Sequence, residues 1–172
     1  EIDTMVSESI RSGQELYAIL AEELRRCRPT VVLTQNLCNV CSVCPSDVEK
    51  AIEGLEPRPL VLSFDPFCME DIFQDMLRLG GAVGLEAGAE EAVAQLRGRV
   101  QQVASALAAN PAASRPKVAF LEWADPVFVG GHWTPELVEL AGGTHVLNSA
   151  GKKSYRVPVP EVVAADPDFV IF

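Results

Sequence analysis

A chain of 172 residues with 48% hydrophobic residues has ample material for a core, as one domain or as two small lobes. Its formal net charge is −10, from 14 Lys and Arg against 24 Asp and Glu. That balance argues against a nucleic-acid binder or a protein held to an anionic membrane by charge. No apolar run approaches the roughly 20 residues that a spanning helix needs, and five cysteines cannot all pair within one chain.

In chain order, Leu16, Ile19, Leu20, Leu24 and Cys27 recur at helical spacing, and Pro29 ends that predicted helix. Val31 to Thr34 reads as a short buried strand. Residues 36–45 form a polar, cysteine-rich loop, after which Asp47 is placed to cap a short helix over 48–54. Pro57 and Pro59 mark a turn before a second strand, Leu60 to Ser63. A helix is expected from Met69 to Leu79, stopping at Gly80 and Gly81. The longest helix is expected over about Glu90 to Ala108, with Val93, Leu96, Val100, Val103 and Leu107 as one apolar stripe. After the proline-bearing linker 110–116 come a strand at Val118 to Leu121, an aromatic loop, a helix from Pro135 to Ala141, a short helix near Glu161 and a last strand from Phe169.

Strands alternating with helices predict an α/β fold with mainly parallel sheets. The long helix between two such sets predicts two lobes joined by a strut: residues 1–88, 89–112 and 113–172. The chain starts at Glu1 and stops at Phe172 inside a strand-like run, which reads as a fragment with both lobes incomplete.

The stretch from Phe120 to Trp133 concentrates chemistry in a chain that is only 6% aromatic. It places Trp123, Phe128, His132 and Trp133 where a strand gives way to a loop. Rings gathered there suit a cleft wall, because flat rings bury much area at low entropy cost. The plainer reading is a capped core. Cys38, Cys41 and Cys44 open three alternatives: thiols lining a ligand or the structure, a disulfide, or a thiolate metal site that lacks a nearby fourth ligand. Imidazole suits axial ligation of a metal, so His132 is a candidate for it, while His145 reads as structural. No nucleophile elbow, zinc-protease motif or phosphate-cradling loop is present, and an enzyme is not expected. Glu23 and Glu161 each lie six residues before a proline that leads into a strand.

Several segments carry a resemblance: Ser12-Gly-Gln-Glu-Leu-Tyr17, Arg28-Pro-Thr-Val-Val-Leu-Thr-Gln35, Leu37-Cys-Asn-Val-Cys41, Leu121-Glu-Trp-Ala-Asp-Pro126, Gly131-His-Trp133, Glu136-Leu-Val-Glu-Leu-Ala-Gly-Gly143 and Asp166-Pro-Asp-Phe-Val-Ile171. In this order the chain resembles the periplasmic substrate-binding proteins of ABC importers for vitamin B12, the BtuF-like branch of a group that also carries haem and iron-siderophores. Cys44 departs from the branch by extending Cys-x-x-Cys with a third cysteine.

The resemblance implies a class III periplasmic binding protein-like fold with a ring-lined cleft between its lobes. It implies an extracytoplasmic protein that takes cobalamin or a related corrinoid as transported ligand and delivers it to an ABC permease, with no resident cofactor. Tyr17, Gln35, Cys38, Cys41, Trp123, Phe128, His132 and Trp133 are then the ligand-binding candidates. Glu22 or Glu23, with Glu161, are the candidates for docking on the permease. The alternatives are a metal- or redox-handling module on the Cys38, Cys41 and Cys44 loop, and binding of haem or an iron-siderophore.

Overall fold

The computed structural model describes residues 2–12, 17–35, 43, 45–109 and 114–172. Cys38, Cys41 and Cys44 lie outside them, as does Leu16. The chain divides into two compact units, Glu1–Asp65 with Arg78–Leu85, and Pro66–Leu77 with Glu86–Phe172.

The first unit holds α1 (Ile2–Ser12), α2 (Ala21–Cys27), β1 (Val31–Gln35), α3 (Pro45–Ala51) and β2 (Leu60–Phe64). Strands β1 and β2 pair in parallel, from Val31 opposite Leu60 to Gln35 opposite Phe64. Parallel strands need a crossover, and α3 supplies it; Val48, Ala51 and the following Ile52 are buried, as is Leu62 of β2. Helix α2 is shorter than its apolar spacing predicts. Tyr17 to Leu20 are not helical, and Leu20 is 74% exposed beside the helix start. The helix stops at Arg28 in the left-handed region, φ 45°, just before Pro29. Asp47 falls inside the first turn of α3 rather than capping it, because the helix begins at Pro45. Helix α1 was not anticipated from the sequence.

The second unit holds the first part of α4 (Met69–Ala82), then α5 (Glu86–Ala109), β3 (Lys117–Ala124), β4 (Val127–Val129), α6 (Thr134–Leu140), β5 (Thr144–His145), β6 (Tyr155–Arg156), α7 (Val159–Ala164) and β7 (Phe169–Ile171). Strand β3 belongs to two ladders. Its first half runs parallel to β5 and β7; its second half turns back on β4 as an antiparallel hairpin, which β6 extends. The register slips between Leu121 and Trp123, a bulge that re-aims the strand where the ladders meet. Val118, Ala119, Val129, Val138 and Val157 are the buried centre. Pairing is parallel at the start of β3, as expected, but β4 and β6 extend it as an antiparallel hairpin where the sequence predicts a loop.

Helix α5 starts at Glu86, four residues before the expected Glu90, and its stripe is only partly covered. Val93 is 3% exposed, whereas Val103 is 48% and Leu107 37% exposed. Arg97 on α5 pairs with Glu70 on α4, and its guanidinium lies 5.4 Å from the Phe73 ring centroid. The start of α4 is capped from two sides. Asp71 Oδ2 accepts from the backbone N–H of Phe67 (2.8 Å) and Cys68 (3.1 Å), and Glu136 of α6 accepts from Met69 N–H (2.8 Å). These bonds satisfy helix-terminal donors that otherwise have no partner.

Candidate functional site

In the first unit, Tyr17 and Gln35 come together. Both line a groove of about 480 Å³ with Ile19, Leu24, Leu33 and Val43. Gln35 is the last residue of β1, so the groove opens at the carboxyl end of a parallel strand pair, the usual place for a ligand in α/β units. Tyr17 is 55% exposed and Leu33 51%, an apolar lining with two polar handles.

In the second unit the candidate rings fall into two groups: Trp123 and Phe128 at the carboxyl end of β3, and His132 and Trp133 just past Gly130, whose N–H donates to the Phe120 carbonyl. Trp123 pairs in register with Phe128 across the hairpin. Trp123 is 48% exposed, and its Nε1 donates to the Asp125 carbonyl at 2.9 Å, which fixes the ring against the turn. Its bland reading as capped core does not hold, whereas Trp133 is half-buried.

His132 and Trp133 form the other group, with ring centroids 5.9 Å apart, and Phe67 packs on His132 at 5.3 Å. Phe67 was missed from sequence; its signal was an aromatic in the loop between a strand and a helix. His132 adopts φ 53°, a left-handed conformation that costs a non-glycine residue about 1–2 kcal/mol. The loop after β5 holds it there. His132 N–H donates to the Lys152 carbonyl, and the Gly151 N–H donates to the His132 carbonyl at 3.0 Å. His132 Nε2 is buried without a hydrogen-bond partner among the described residues. A strained residue with an orphaned ring nitrogen marks a place where the fold serves something other than its own stability.

The Gly130–Gly131 pair makes this approach possible. A Cβ on Gly131 would stand 2.2 Å from Ser154 N and 2.4 Å from the Lys153 carbonyl carbon. Gly131 N–H donates to Ser154 Oγ at 3.1 Å, with Glu122 Oε1 at 3.4 Å. Asn148 ties the same loop down, donating to the Gly130 and Lys153 carbonyls at 3.1 and 3.0 Å. His145 is buried in β5 and accepts the Asn148 N–H at Nδ1 (3.1 Å), the structural role expected of it. Burial pushes its pKa below the usual 6.5, opposed in part by the hydrogen bonds with the Phe120 and Asn148 backbone and by the charge of Glu139.

The docking candidates are at the surface. Glu22 pairs with Arg25 at 2.6 Å and Glu23 with Arg26 at 2.8 Å, both on α2. Glu161 is exposed in the first turn of α7. Cys27 is exposed and Cys68 half-buried, both as free thiols. Among the described residues no group of three or more His, Cys, Asp or Glu is arranged to hold a metal, and no helix is long and apolar enough to cross a membrane.

The two α/β units, with parallel strand pairs and crossover helices, place the chain among two-unit α/β proteins. The chain belongs to the Periplasmic binding protein family, which it matches over residues 16–172. No curated protein matches the chain.

Solved structures share its fold. An ABC transporter substrate-binding protein from Listeria monocytogenes EGD-e matches at 20% identity and a TM-score of 0.66, over 87% of this chain and 55% of its own. The periplasmic vitamin B12 binding protein BtuF of Vibrio cholerae matches at 15% and 0.66, over 89% and 57%. The periplasmic heme-binding protein RhuT from Roseiflexus sp. RS-1 matches at 23% and 0.68, over 89% and 57%. The chain therefore spans a little over half the length of these structures.

Proposed function

We propose that this protein is the extracytoplasmic substrate-binding component of an ABC importer, and that it captures cobalamin or a related corrinoid. The observation that carries the reading is the half-exposed Trp123 and its neighbours at the carboxyl end of β3. Rings there desolvate a large flat ligand, and Tyr17 and Gln35 line a groove of their own on the first unit. Similarity to a vitamin B12 binding protein supports the same choice. In this proposal residues 89–112, most of them in α5, link lobe segments 1–88 and 113–172. Glu161, with Glu22 or Glu23, presents the loaded protein to arginines of the permease.

Haem or an iron-siderophore is the second reading. It is favoured by the unpartnered His132 Nε2 and by similarity to a heme-binding protein. Calorimetric titration with cyanocobalamin, haemin and a ferric siderophore tests both readings. Quenching of the fluorescence of Trp123 and Trp133 gives an independent readout. Saturable binding of cyanocobalamin, tightest of the three, is the expected result. Tighter haemin binding selects the second reading, and no response to any of the three rejects both.

A further inference from the structure

The hairpin carries a row that the sequence does not show. Trp123 lies opposite Phe128, and Phe128 lies opposite Arg156 on the next strand. Directly paired residues of antiparallel strands share one face. Two rings and a guanidinium are thus aligned across three strands, on ladder-held backbone that fixes their spacing.

Arg156 is exposed, and among the described residues it has no carboxylate or carbonyl partner. Arg25, Arg97 and Arg115 are engaged, by Glu22, by Glu70 and by the Glu139 and Gly142 carbonyls. Arg28 and Arg99 also lack a side-chain partner among the described residues, but they stand apart in the chain. Lys152 and Lys153, just upstream of Arg156, lack one too, so three such cations gather within five residues beside the ring wall.

The acidic groups close by are occupied or turned elsewhere. Glu122 faces the Gly131 N–H. Asp125 lines the same groove as Arg156 yet makes no ion pair with it. A planar guanidinium at the end of a ring row suits one ligand chemistry, a flat body with a carboxylate or phosphate on its rim.

We propose that Arg156, in register with Trp123 and Phe128, is the subsite for an anionic group on the rim of the ligand. The inference rests on the capture function proposed above and narrows its substrate class. The anion has two chemical sources, the phosphodiester of a cobalamin nucleotide loop or the carboxylates of a porphyrin.

The test uses the whole chain and four probes: cyanocobalamin, cobinamide (which lacks the phosphodiester), haemin, and haemin dimethyl ester, whose carboxylates are masked. Arg156→Gln is expected to weaken the charged member of the bound pair by roughly 10- to 100-fold, the loss typical of a charge-assisted bond. It leaves the member that lacks this anion within about twofold, and Arg156→Lys recovers part of the loss. Loss on cyanocobalamin but not cobinamide assigns the phosphate; loss on haemin but not its ester assigns the carboxylates. Trp123→Ala is expected to weaken both members of the pair alike. If Arg156→Gln leaves a bound charged ligand unaffected, or weakens both members equally, the subsite is overturned while the capture function stands. If the parent chain binds none of the four, both fall together.

Discussion

Replacing Gly131 by alanine tests how the aromatic wall is held. The added Cβ would meet backbone, not flexible side chain: Ser154 N at 2.2 Å, Lys153 C at 2.4 Å and Lys152 O at 2.6 Å. The loop over residues 149–154 must therefore lift. Overpacking of this kind costs about 1–3 kcal/mol. Lifting also breaks the two backbone bonds between His132 and the loop, each worth about 1 kcal/mol. The expected loss is about 3–5 kcal/mol, a large share of a typical stability of about 5–15 kcal/mol. In urea denaturation the fluorescence of Trp123 and Trp133, both in the second unit, reports the change directly. Gly98→Ala is the paired control. Gly98 sits within α5 with nothing within 4 Å of an added Cβ, so alanine should stabilise by up to about 1 kcal/mol. A Gly131→Ala protein within 1 kcal/mol of the parent, with unchanged fluorescence, would refute the argument that the loop clamps His132.

Glu136→Ala removes the acceptor for Met69 N–H and should cost about 1–2 kcal/mol, with Glu136→Gln costing less because an acceptor oxygen remains; equal loss in the two variants would assign the effect to charge instead. Asp71 accepts two backbone N–H groups, and the Phe67 bond foremost holds its pKa below 3.8. The stability it adds is present above that value and lost as pH falls through the lowered one, so Asp71→Ala should flatten the acid limb of an unfolding curve. His145 is depressed below 6.5 by burial, so its contribution is present above 6.5 and lost as pH falls through its folded value. Melting temperatures recorded between pH 7 and pH 5 should fall for the parent and fall less for His145→Asn. Glu161→Arg should leave ligand affinity within about twofold while uptake through the cognate importer drops about tenfold or more; an equal fall in ligand affinity would place Glu161 at the ligand instead.

The alternation of strands and helices was legible because each buried run is bounded by a proline, a glycine or a polar cluster. Val118 to Leu121 and Phe169 onward are examples. Strand β4 was not, because three residues between Asp125-Pro126 and Gly130-Gly131 carry no period of their own. They become a strand only by pairing with β3. The apolar spacing before Pro29 overstated α2, since Leu20 satisfies the pattern and still points to water. At the site, Trp123 and His132 were marked by residue type. The left-handed His132 and the Gly131 contact depend on a loop twenty residues downstream, which local pattern does not reach. Phe67 was hidden for the same reason, its partner His132 being far along the chain.

The double membership of β3 separates two demands placed on one strand. Its first half is fixed by β5 and β7 and answers to stability. Its second half answers only to the hairpin, where Asp125 at the turn and Arg156 at the edge are exposed. Substitutions at Asp125 and Arg156 can therefore change the exposed face without disturbing Val118 or Ala119, and the buried half of the same strand stays as it is.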